Sequence, residues 1–239
     1  MVTLTIDGRE VQAEEGAMVL DVARENNIYI PSLCSNEAVS PYGACRLCLV
    51  DVAKNGRERM VASCLYPVEE GLVVKTNSER VMATRKMIIE LLLARCPNNK
   101  VIKDLASQHG VGKTTFKLED NQCIVCALCV RVCQEVVGVS AISLVGRGVD
   151  REMATPFYEH SEACIGCNSC AYVCPVDAIK TEDVGDTRII TMPNNKMEFK
   201  LRRCKTCGNY WAPEKQLDYI ARKVGLAPEV FDNCPDCRD

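Results

Sequence analysis

The sequence predicts an α+β protein made of several small domains, and three observations lead to this class. Short segments alternate between apolar and polar residues on either side of Asp7-Gly8 and Asn55-Gly56, a pattern typical of β-hairpins. Apolar residues recur at helical spacing between residues 78 and 108. The chain of 239 residues has 17 cysteines but only 12 aromatic residues, so we expect thiol chemistry to help define its structure.

Composition excludes several classes of protein. The formal net charge of -3 argues against a general nucleic-acid binder, which would show a clustered basic excess. The longest apolar segment, residues 87–94, is interrupted by Glu90 and is far too short to span a bilayer. The first residues, MVTLTIDGREV, alternate like a strand and do not resemble a secretory signal. We therefore expect a cytoplasmic protein with no membrane span, in which dense cysteines bind metal rather than form disulfides.

The first region, residues 1–77, is predicted to contain a hairpin, a helix over residues 18–26 and three further strands. The strand patterns are VTLTID, REVQAEE, LCLVDVA, RERMVA and LVVKT. A loop rich in small and turn-forming residues, SLCSNEAVSPYGAC, separates the helix from the third strand. Four cysteines lie in this region, at Cys34, Cys45, Cys48 and Cys64.

Residues 78–117 are predicted to form a connector of two helices. Ser78 is a candidate N-cap, and the Cys96-Pro97 pair marks a stop. Cys96 lies outside the groups of four cysteines and is expected to be a buried thiol. The segment HGVGKTTF looks like a phosphate-binding loop, but Ser107 replaces its first glycine. The sequence therefore predicts no nucleotide site, and it shows no catalytic residue.

Residues 118–192 contain the most specific pattern in the chain. The segments CIVCALCVRVCQ and CIGCNSCAYVCP each have the spacing C-x2-C-x2-C-x3-C. In this spacing three cysteines bind one 4Fe–4S cluster and the fourth binds the neighbouring cluster. Two separate zinc sites are the alternative, although zinc does not require the fourth cysteine at this position. The predicted ligand sets are Cys123, Cys126, Cys129 and Cys174 for one cluster, and Cys164, Cys167, Cys170 and Cys133 for the other.

The two cysteine segments belong to an internal repeat offset by 41 residues. Each is followed by a similar apolar and turn pattern, VSAISLVGRG and VDAIKTEDVG. The repeat resembles the bacterial two-cluster ferredoxin domain. It departs from that domain at Gln134, where the second repeat has Pro175, and in the longer insertion between the two segments.

The last region, residues 193–239, contains two C-x2-C pairs on either side of a helix predicted to begin near Pro213. Two such pairs suit one tetrahedral ion, and CKTCG and CPDC resemble zinc-ribbon knuckles. We expect zinc, because so short a segment needs a metal to fold. A further iron–sulfur cluster is the alternative. The predicted ligands are Cys204, Cys207, Cys234 and Cys237.

The order of strands, helix and cysteine loop in residues 1–77 resembles the β-grasp ferredoxin fold. The spacing C-x10-C-x2-C-x15-C resembles the N-terminal domain of the large iron–sulfur subunit of respiratory complex I. The same domain opens the small diaphorase subunit of NAD-reducing hydrogenases. This resemblance implies one 2Fe–2S cluster on Cys34, Cys45, Cys48 and Cys64, with a zinc site or unrelated thiols as the alternative.

The order of modules over about residues 1–190 resembles that small diaphorase subunit. The resemblance implies an electron-transfer subunit of an NAD(P)H-linked oxidoreductase of the hydrogenase, transhydrogenase or formate dehydrogenase type, electron-bifurcating assemblies included. It also implies two partners: an FMN subunit that reacts with NAD(P)H, and a further redox subunit or ferredoxin. A metal-stabilised scaffold or regulatory subunit, and a free-standing electron carrier, are the alternative functions.

Overall fold

The computed structural model describes residues 1–238, which form two compact units. The first unit comprises residues 1–126, and the second begins at residue 127. Each unit combines helices with a mainly antiparallel sheet, so the predicted mixed α/β class is confirmed. Within the described residues, no helix is both long and apolar enough to cross a bilayer.

A five-stranded sheet forms the base of the first unit, in the spatial order β2-β1-β5-β3-β4. Strands β1 and β5 run parallel, and the other neighbours are antiparallel. The two hairpins turn at Asp7-Gly8 and Asn55-Gly56, where all four residues have positive φ. Such turns match the twist of the flanking strands, which explains why these residue pairs predict hairpins. The strands are β1 (Val2–Ile6), β2 (Arg9–Ala13), β3 (Leu49–Lys54), β4 (Arg57–Ala62) and β5 (Val73–Lys75).

Helix α1 (Val19–Glu25) shares one hydrophobic core with this sheet, and the prediction of a helix over residues 18–26 is confirmed. Leu20 is fully buried, as is Ile6 on the alternating strand β1. Burial of such side chains stabilises the fold by roughly 1.5–3 kcal/mol each. The loop that follows, residues 27–48, therefore starts and ends at fixed points of this core.

Two helices follow the sheet, α2 (Glu79–Arg95) and α3 (Lys100–Gln108). The hydroxyl of Ser78 accepts a hydrogen bond from the backbone N–H of Val81 at 3.2 Å and donates one to the carboxylate of Asp51. Ser78 is thus confirmed as the N-cap, and it also ties α2 to strand β3. The helix ends at Arg95 with Cys96 as its C-cap, immediately before Pro97, and Cys96 is fully buried as predicted.

The second unit contains a four-stranded antiparallel sheet in the order β11-β10-β9-β8 and a separate two-stranded ribbon. Side chains of β9 and β10, among them Ile190, Met197 and Phe199, form much of its core. The sheet strands are β8 (Lys180–Val184), β9 (Thr187–Met192), β10 (Asn195–Arg203) and β11 (Tyr210–Pro213). The ribbon strands are β6 (Ser143–Val145) and β7 (Glu152–Ala154).

The hairpin of β9 and β10 was not predicted, although the sequence contains a signal for it. Met197, Phe199 and Leu201 are buried while the residues between them are more exposed, which is the alternation of a strand with one buried face. The two consecutive asparagines before this alternation favour a turn. The hairpin crosses residue 193, at which the sequence analysis divides the last two regions.

The internal repeat is visible in the backbone, with one difference between its halves. Ala141 follows Cys133 by eight positions, whereas Ala178 follows Cys174 by only four. The apolar segments of the two repeats are therefore offset by 37 residues, although the cysteines are offset by 41. In the first repeat the chain forms a π-helical turn, Val132–Val137, after the short helix α4 (Leu128–Arg131). The other helices are α5 (Ser169–Tyr172) and α6 (Glu214–Val224), with 3₁₀ turns at Ser63–Leu65, Gly148–Asp150, Pro156–Tyr158, Pro228–Phe231 and Pro235–Cys237.

Replacing Ser78 by alanine removes both the cap of α2 and one hydrogen bond to the buried Asp51. We expect the free energy of unfolding to fall by about 1–2 kcal/mol. Chemical denaturation of the full chain under anaerobic conditions measures this change. Ser107→Ala is the matched control, because that serine lies inside α3 and bonds only its own helix. Equal stability losses in the two variants would contradict the capping role.

Candidate metal centres

The four cysteines of the first region lie together in the first unit and are all buried. Three of them are in the loop between α1 and β3, and the fourth is in the 3₁₀ turn that follows β4. The core fixes both segments and so brings the thiols together. They are Cys34, Cys45, Cys48 and Cys64.

These four sulfurs are arranged as two hydrogen-bonded pairs, Cys34 with Cys45 and Cys48 with Cys64. The hydrogen bond from Cys34 lowers the pKa of Cys45 to about 6, and the bond from Cys64 does the same for Cys48. The same bonds raise the pKa of Cys34 and Cys64, with burial adding to the effect. In each pair one thiol thus donates a hydrogen bond to the sulfur of the other.

Backbone N–H groups also point at these sulfurs. Cys45 N–H donates to the sulfur of Cys34 at 3.3 Å, and Leu33 N–H donates to the sulfur of Cys45 at 3.4 Å. Such donors stabilise negative charge on a metal-bound thiolate. Two pairs of buried thiols with backbone donors fit a centre of two irons that each take two cysteine sulfurs.

A second group of thiols lines one apolar cavity in the second unit. Its walls include Ile142 and Ile190. Burial raises the pKa of Cys164 to about 11 and that of Cys170 to about 12, because a thiolate is poorly solvated there. A metal cluster would supply the positive charge that lets these thiols ionise. The thiols are Cys133, Cys164, Cys167 and Cys170, the second predicted ligand set.

Both cysteine segments bend through left-handed residues at equivalent positions. In the second segment these are Gly166 (φ 72°) and Asn168 (φ 68°), and in the first they are Val125 (φ 55°) and Ala127 (φ 63°). The bend turns backbone N–H groups toward sulfur: Val125 N–H donates to the sulfur of Cys123 at 3.3 Å, and Gly166 N–H donates to Cys164. A β-branched residue such as valine rarely adopts positive φ, so Val125 is a strained position.

The other predicted set has members in both units. Cys123 and Cys126 are at the end of the first unit, where Arg95 Nε donates to the carbonyl of Cys123 at 2.9 Å. Cys129 lies in α4 and Cys174 follows α5 in the second unit. The sulfur of Cys174 accepts a hydrogen bond from Ala178 N–H at 3.2 Å, and that of Cys133 accepts one from Ala141 N–H at 3.2 Å. The fourth cysteine of each repeat is thus bonded in the same way.

The four tail cysteines bring their sulfurs within 4.8 Å of one another. Four thiolates around one zinc ion lie about 3.8 Å apart, since a Zn–S bond is about 2.3 Å long and the geometry is tetrahedral. Cys207 and Cys234 already approach this separation at 3.9 Å. The arrangement fits a single ion better than a four-iron cluster, whose metal core would hold the sulfurs farther apart. The cysteines are Cys204, Cys207, Cys234 and Cys237.

Backbone donors also prepare the tail site for cation binding. N–H groups of Cys207 and Cys234 lower the pKa of Cys204 to about 6. Its sulfur accepts the hydrogen bond of Cys234 N–H at 3.3 Å, which joins the two C-x2-C turns. The hydrogen bond with Cys234 raises the pKa of Cys237 to about 12. The backbone donors thus favour negative charge on Cys204, as a metal ligand requires.

Helix α6 links the tail to the turn that follows Cys133. The hydroxyl of Tyr219 donates to the carbonyl of Val137 at 2.8 Å, and Lys223 Nζ reaches the same carbonyl at 3.5 Å. Sequence analysis missed this contact because it joins residues that are 82 positions apart. It also missed the buried Arg85, whose environment only the folded chain creates.

Three protein families that bind iron–sulfur clusters match parts of this chain. Residues 1–79 match the 2Fe-2S iron-sulfur cluster binding domain family. Residues 116–181 match a 4Fe-4S dicluster domain family, and residues 163–209 match a second family with the same description. The chain is therefore built from one 2Fe–2S domain and 4Fe–4S dicluster domains, which confirms the predicted 2Fe–2S and 4Fe–4S cofactors.

The relatives are subunits of oxidoreductases. A subunit of the NADH-quinone oxidoreductase of Rhizobium meliloti is 31% identical over 75% of this chain and 24% of its own length. NADP-reducing hydrogenase subunit HndD of Solidesulfovibrio fructosivorans is 32% identical over 75% of this chain and 36% of its own. The chain thus spans about a quarter to a third of these relatives.

A crystal structure of NAD+-reducing [NiFe]-hydrogenase in the H2-reduced state contains a chain of similar fold. The TM-score is 0.64 and the sequence identity is 29%. The likeness covers 74% of this chain and 85% of the hydrogenase chain. The predicted resemblance to iron–sulfur subunits of NAD-linked hydrogenases and complex I is confirmed.

Gly166→Ala tests whether the cavity in the second unit depends on a close backbone approach. A Cβ atom there would lie 2.7 Å from the ring of Phe199, in addition to the strain of φ 72°. We expect this variant to lose one 4Fe–4S cluster, about four iron atoms per chain. Gly185→Ala is the matched control, because Gly185 has φ 60° but open space around it. Iron and acid-labile sulfide assays compare the two, and equal iron contents would contradict the expected steric effect.

Proposed function

We propose that this chain, an iron–sulfur protein of 2Fe–2S and 4Fe–4S ferredoxin-type domains, is the electron-transfer subunit of a multi-subunit NAD(P)H-linked oxidoreductase. The observation that supports it most is the arrangement of the cysteines in groups of four along one chain, with most of their thiols buried or half-buried. Iron–sulfur clusters accept and release single electrons, and the protein sets their potentials by burial and hydrogen bonding.

The ligand assignment is part of this proposal. Buried thiols with backbone donors support a 2Fe–2S centre in the first unit, and the shared cavity supports a 4Fe–4S centre in the second. The spacing of the cysteines supports the remaining set. The 2Fe–2S ligands are Cys34, Cys45, Cys48 and Cys64; the 4Fe–4S ligands are Cys164, Cys167, Cys170 and Cys133 in one set, and Cys123, Cys126, Cys129 and Cys174 in the other.

Two partners follow from this function. The chain has no nucleotide-binding motif, so we assign the reaction with NAD(P)H to a flavin subunit. The second partner is a hydrogenase-type or other redox subunit, or ferredoxin, which exchanges electrons with this chain. The names of the relatives, which include an NADH-quinone oxidoreductase and an NADP-reducing hydrogenase, support an assembly of this kind. A cytoplasmic location, expected from the cysteine content, belongs to the same proposal.

The tail is proposed to be a zinc module. The separation of its sulfurs supports a mononuclear tetrahedral site over a further iron–sulfur cluster. The second 4Fe-4S dicluster match reaches residue 209 and so includes Cys204 and Cys207, which keeps the cluster as the competing assignment. Structural zinc would stabilise a segment whose core is small, with Leu217, Ala221 and Phe231 at its centre.

Anaerobic purification of the chain from its own cells tests the proposed function. We expect a flavoprotein to co-purify and NAD(P)H to bleach the visible absorbance of the chain. Cys45→Ala should abolish the 2Fe–2S signal in the electron paramagnetic resonance spectrum and leave the 4Fe–4S signals unchanged. Cys96→Ala, which removes the cysteine outside the four groups, should leave all of them.

Three other results would contradict this function. Little iron or acid-labile sulfide would exclude electron transfer altogether. A colourless chain with zinc throughout would indicate a metal-stabilised scaffold. A coloured monomer that only an external low-potential donor reduces would indicate a free-standing carrier.

Combined replacement of Cys204 and Cys237 by serine tests the tail metal. We expect about one zinc per chain to be lost while the iron content stays constant, because one tetrahedral zinc needs all four thiolates. Metal analysis by mass spectrometry measures both elements, and Cys96→Ala is again the control. A loss of about four irons in place of zinc would establish the further iron–sulfur cluster.

A further inference from the structure

Arg85 on helix α2 is a buried cation that no carboxylate neutralises. Only 4% of the residue is exposed to solvent. Its side chain bonds the carbonyls of Leu47, Leu49 and Thr76 and the sulfur of Met82, and no acidic residue among residues 1–238 forms an ion pair with it. A buried charge without an opposite charge is strongly destabilising, so this guanidinium needs a source of negative potential.

The nearest acidic side chain on strand β3 does not fill this role. Asp51 bonds Ser78 and forms an ion pair with Arg80 at the start of α2. Arg80 is half-exposed and paired, whereas Arg85 lies deeper and makes only neutral contacts. Two arginines of one helix therefore have different surroundings.

Two of the neutral contacts of Arg85 are with residues adjacent in sequence to a member of the first cysteine group, Cys34, Cys45, Cys48 and Cys64. Nε donates to the carbonyl of Leu47 at 3.1 Å, and Nη2 donates to that of Leu49 at 2.8 Å. These carbonyls belong to the residues on either side of Cys48, one of the four buried thiols. The guanidinium thus forms hydrogen bonds with the backbone on both sides of this cysteine.

Electrostatics agrees with this placement. Burial lowers the pKa of the Arg85 guanidinium, while negative charge on Cys48 acts to raise it. Burial lowers the pKa of His109, and the positive charge of Arg85 lowers it further.

We propose that Arg85 is a positioning residue that sets the reduction potential of the 2Fe–2S centre. Four cysteine thiolates make such a centre net negative in both oxidation states, and the electron it accepts adds one more negative charge. A fixed neighbouring cation stabilises the reduced form more than the oxidised form, because its attraction grows with the charge. Arg85 therefore raises the potential and makes the centre a better electron acceptor.

This inference rests on the proposed function, and one set of variants of the full chain tests it. Arg85→Met and Arg85→Gln remove the charge, Arg85→Lys keeps it, and Lys86→Met removes an exposed charge from the next position of the same helix. Potentiometric titration, followed by the electron paramagnetic resonance of the reduced 2Fe–2S centre, gives the midpoint potential of each variant.

We expect the neutral variants to shift the one-electron equilibrium toward the oxidised form about tenfold, which is about 59 mV. Arg85→Lys should change it by less than a third of that, and Lys86→Met should leave it unchanged. An unshifted potential in the neutral variants would overturn the role of Arg85. An equal shift in Arg85→Lys would also overturn it, because loss of the hydrogen-bonding fork would then be the cause.

The neutral variants leave buried carbonyls without a donor and can fail to assemble the centre. In that case Arg85→Lys decides: a resonance with a nearly unchanged midpoint potential supports the role of the charge, and loss of the resonance or a tenfold shift overturns the proposal. Absence of a 2Fe–2S resonance in the unmodified chain is a different result. It would overturn the proposed function itself, whereas the other outcomes concern Arg85 alone.

Discussion

A buried thiolate sulfur needs positive charge nearby. This requirement explains how the backbone is arranged around each group of cysteines. Many of the sulfurs lie where water solvates them poorly, and burial, with repulsion between neighbouring cysteines, raises the pKa of Cys164 to about 11 and that of Cys170 to about 12. Backbone N–H groups provide part of the compensation, and a bound metal would provide the rest. The local backbone follows from this requirement, since segments that offer several N–H groups to one sulfur must bend through left-handed residues such as Gly166.

The fold around the centres supplies rigidity. In the first unit, a hydrophobic core of sheet and helix holds the ends of the cysteine loop, and α2 is fastened to β3 through Asp51. In the second unit, the ring of Phe199 packs against Gly166, so the long hairpin supports the cluster cavity directly. Fixed surroundings suit electron transfer, because a centre that moves little on gaining charge needs little reorganisation.

Sequence reasoning predicted the local features well. Turn pairs such as Asp7-Gly8, the cap at Ser78 and the stop at Cys96 depend on neighbouring residues, and each is confirmed. The cysteine spacing predicted the cluster types for the same reason. Contacts such as Tyr219 with Val137, and the burial of Arg85 beside Cys48, could not be predicted, because they join elements far apart in the chain and no short pattern encodes them.

The extra turn after Cys133 makes the two halves of the repeat unequal. One half has a π-helical turn whose carbonyl at Val137 receives a phenol hydroxyl and an ammonium group from α6. The corresponding stretch of the other half passes directly from Cys174 to Ala178. Duplicated halves with identical surroundings would give an electron no preferred resting place. The two cysteine segments therefore have different surroundings, and two clusters held there would differ in reduction potential.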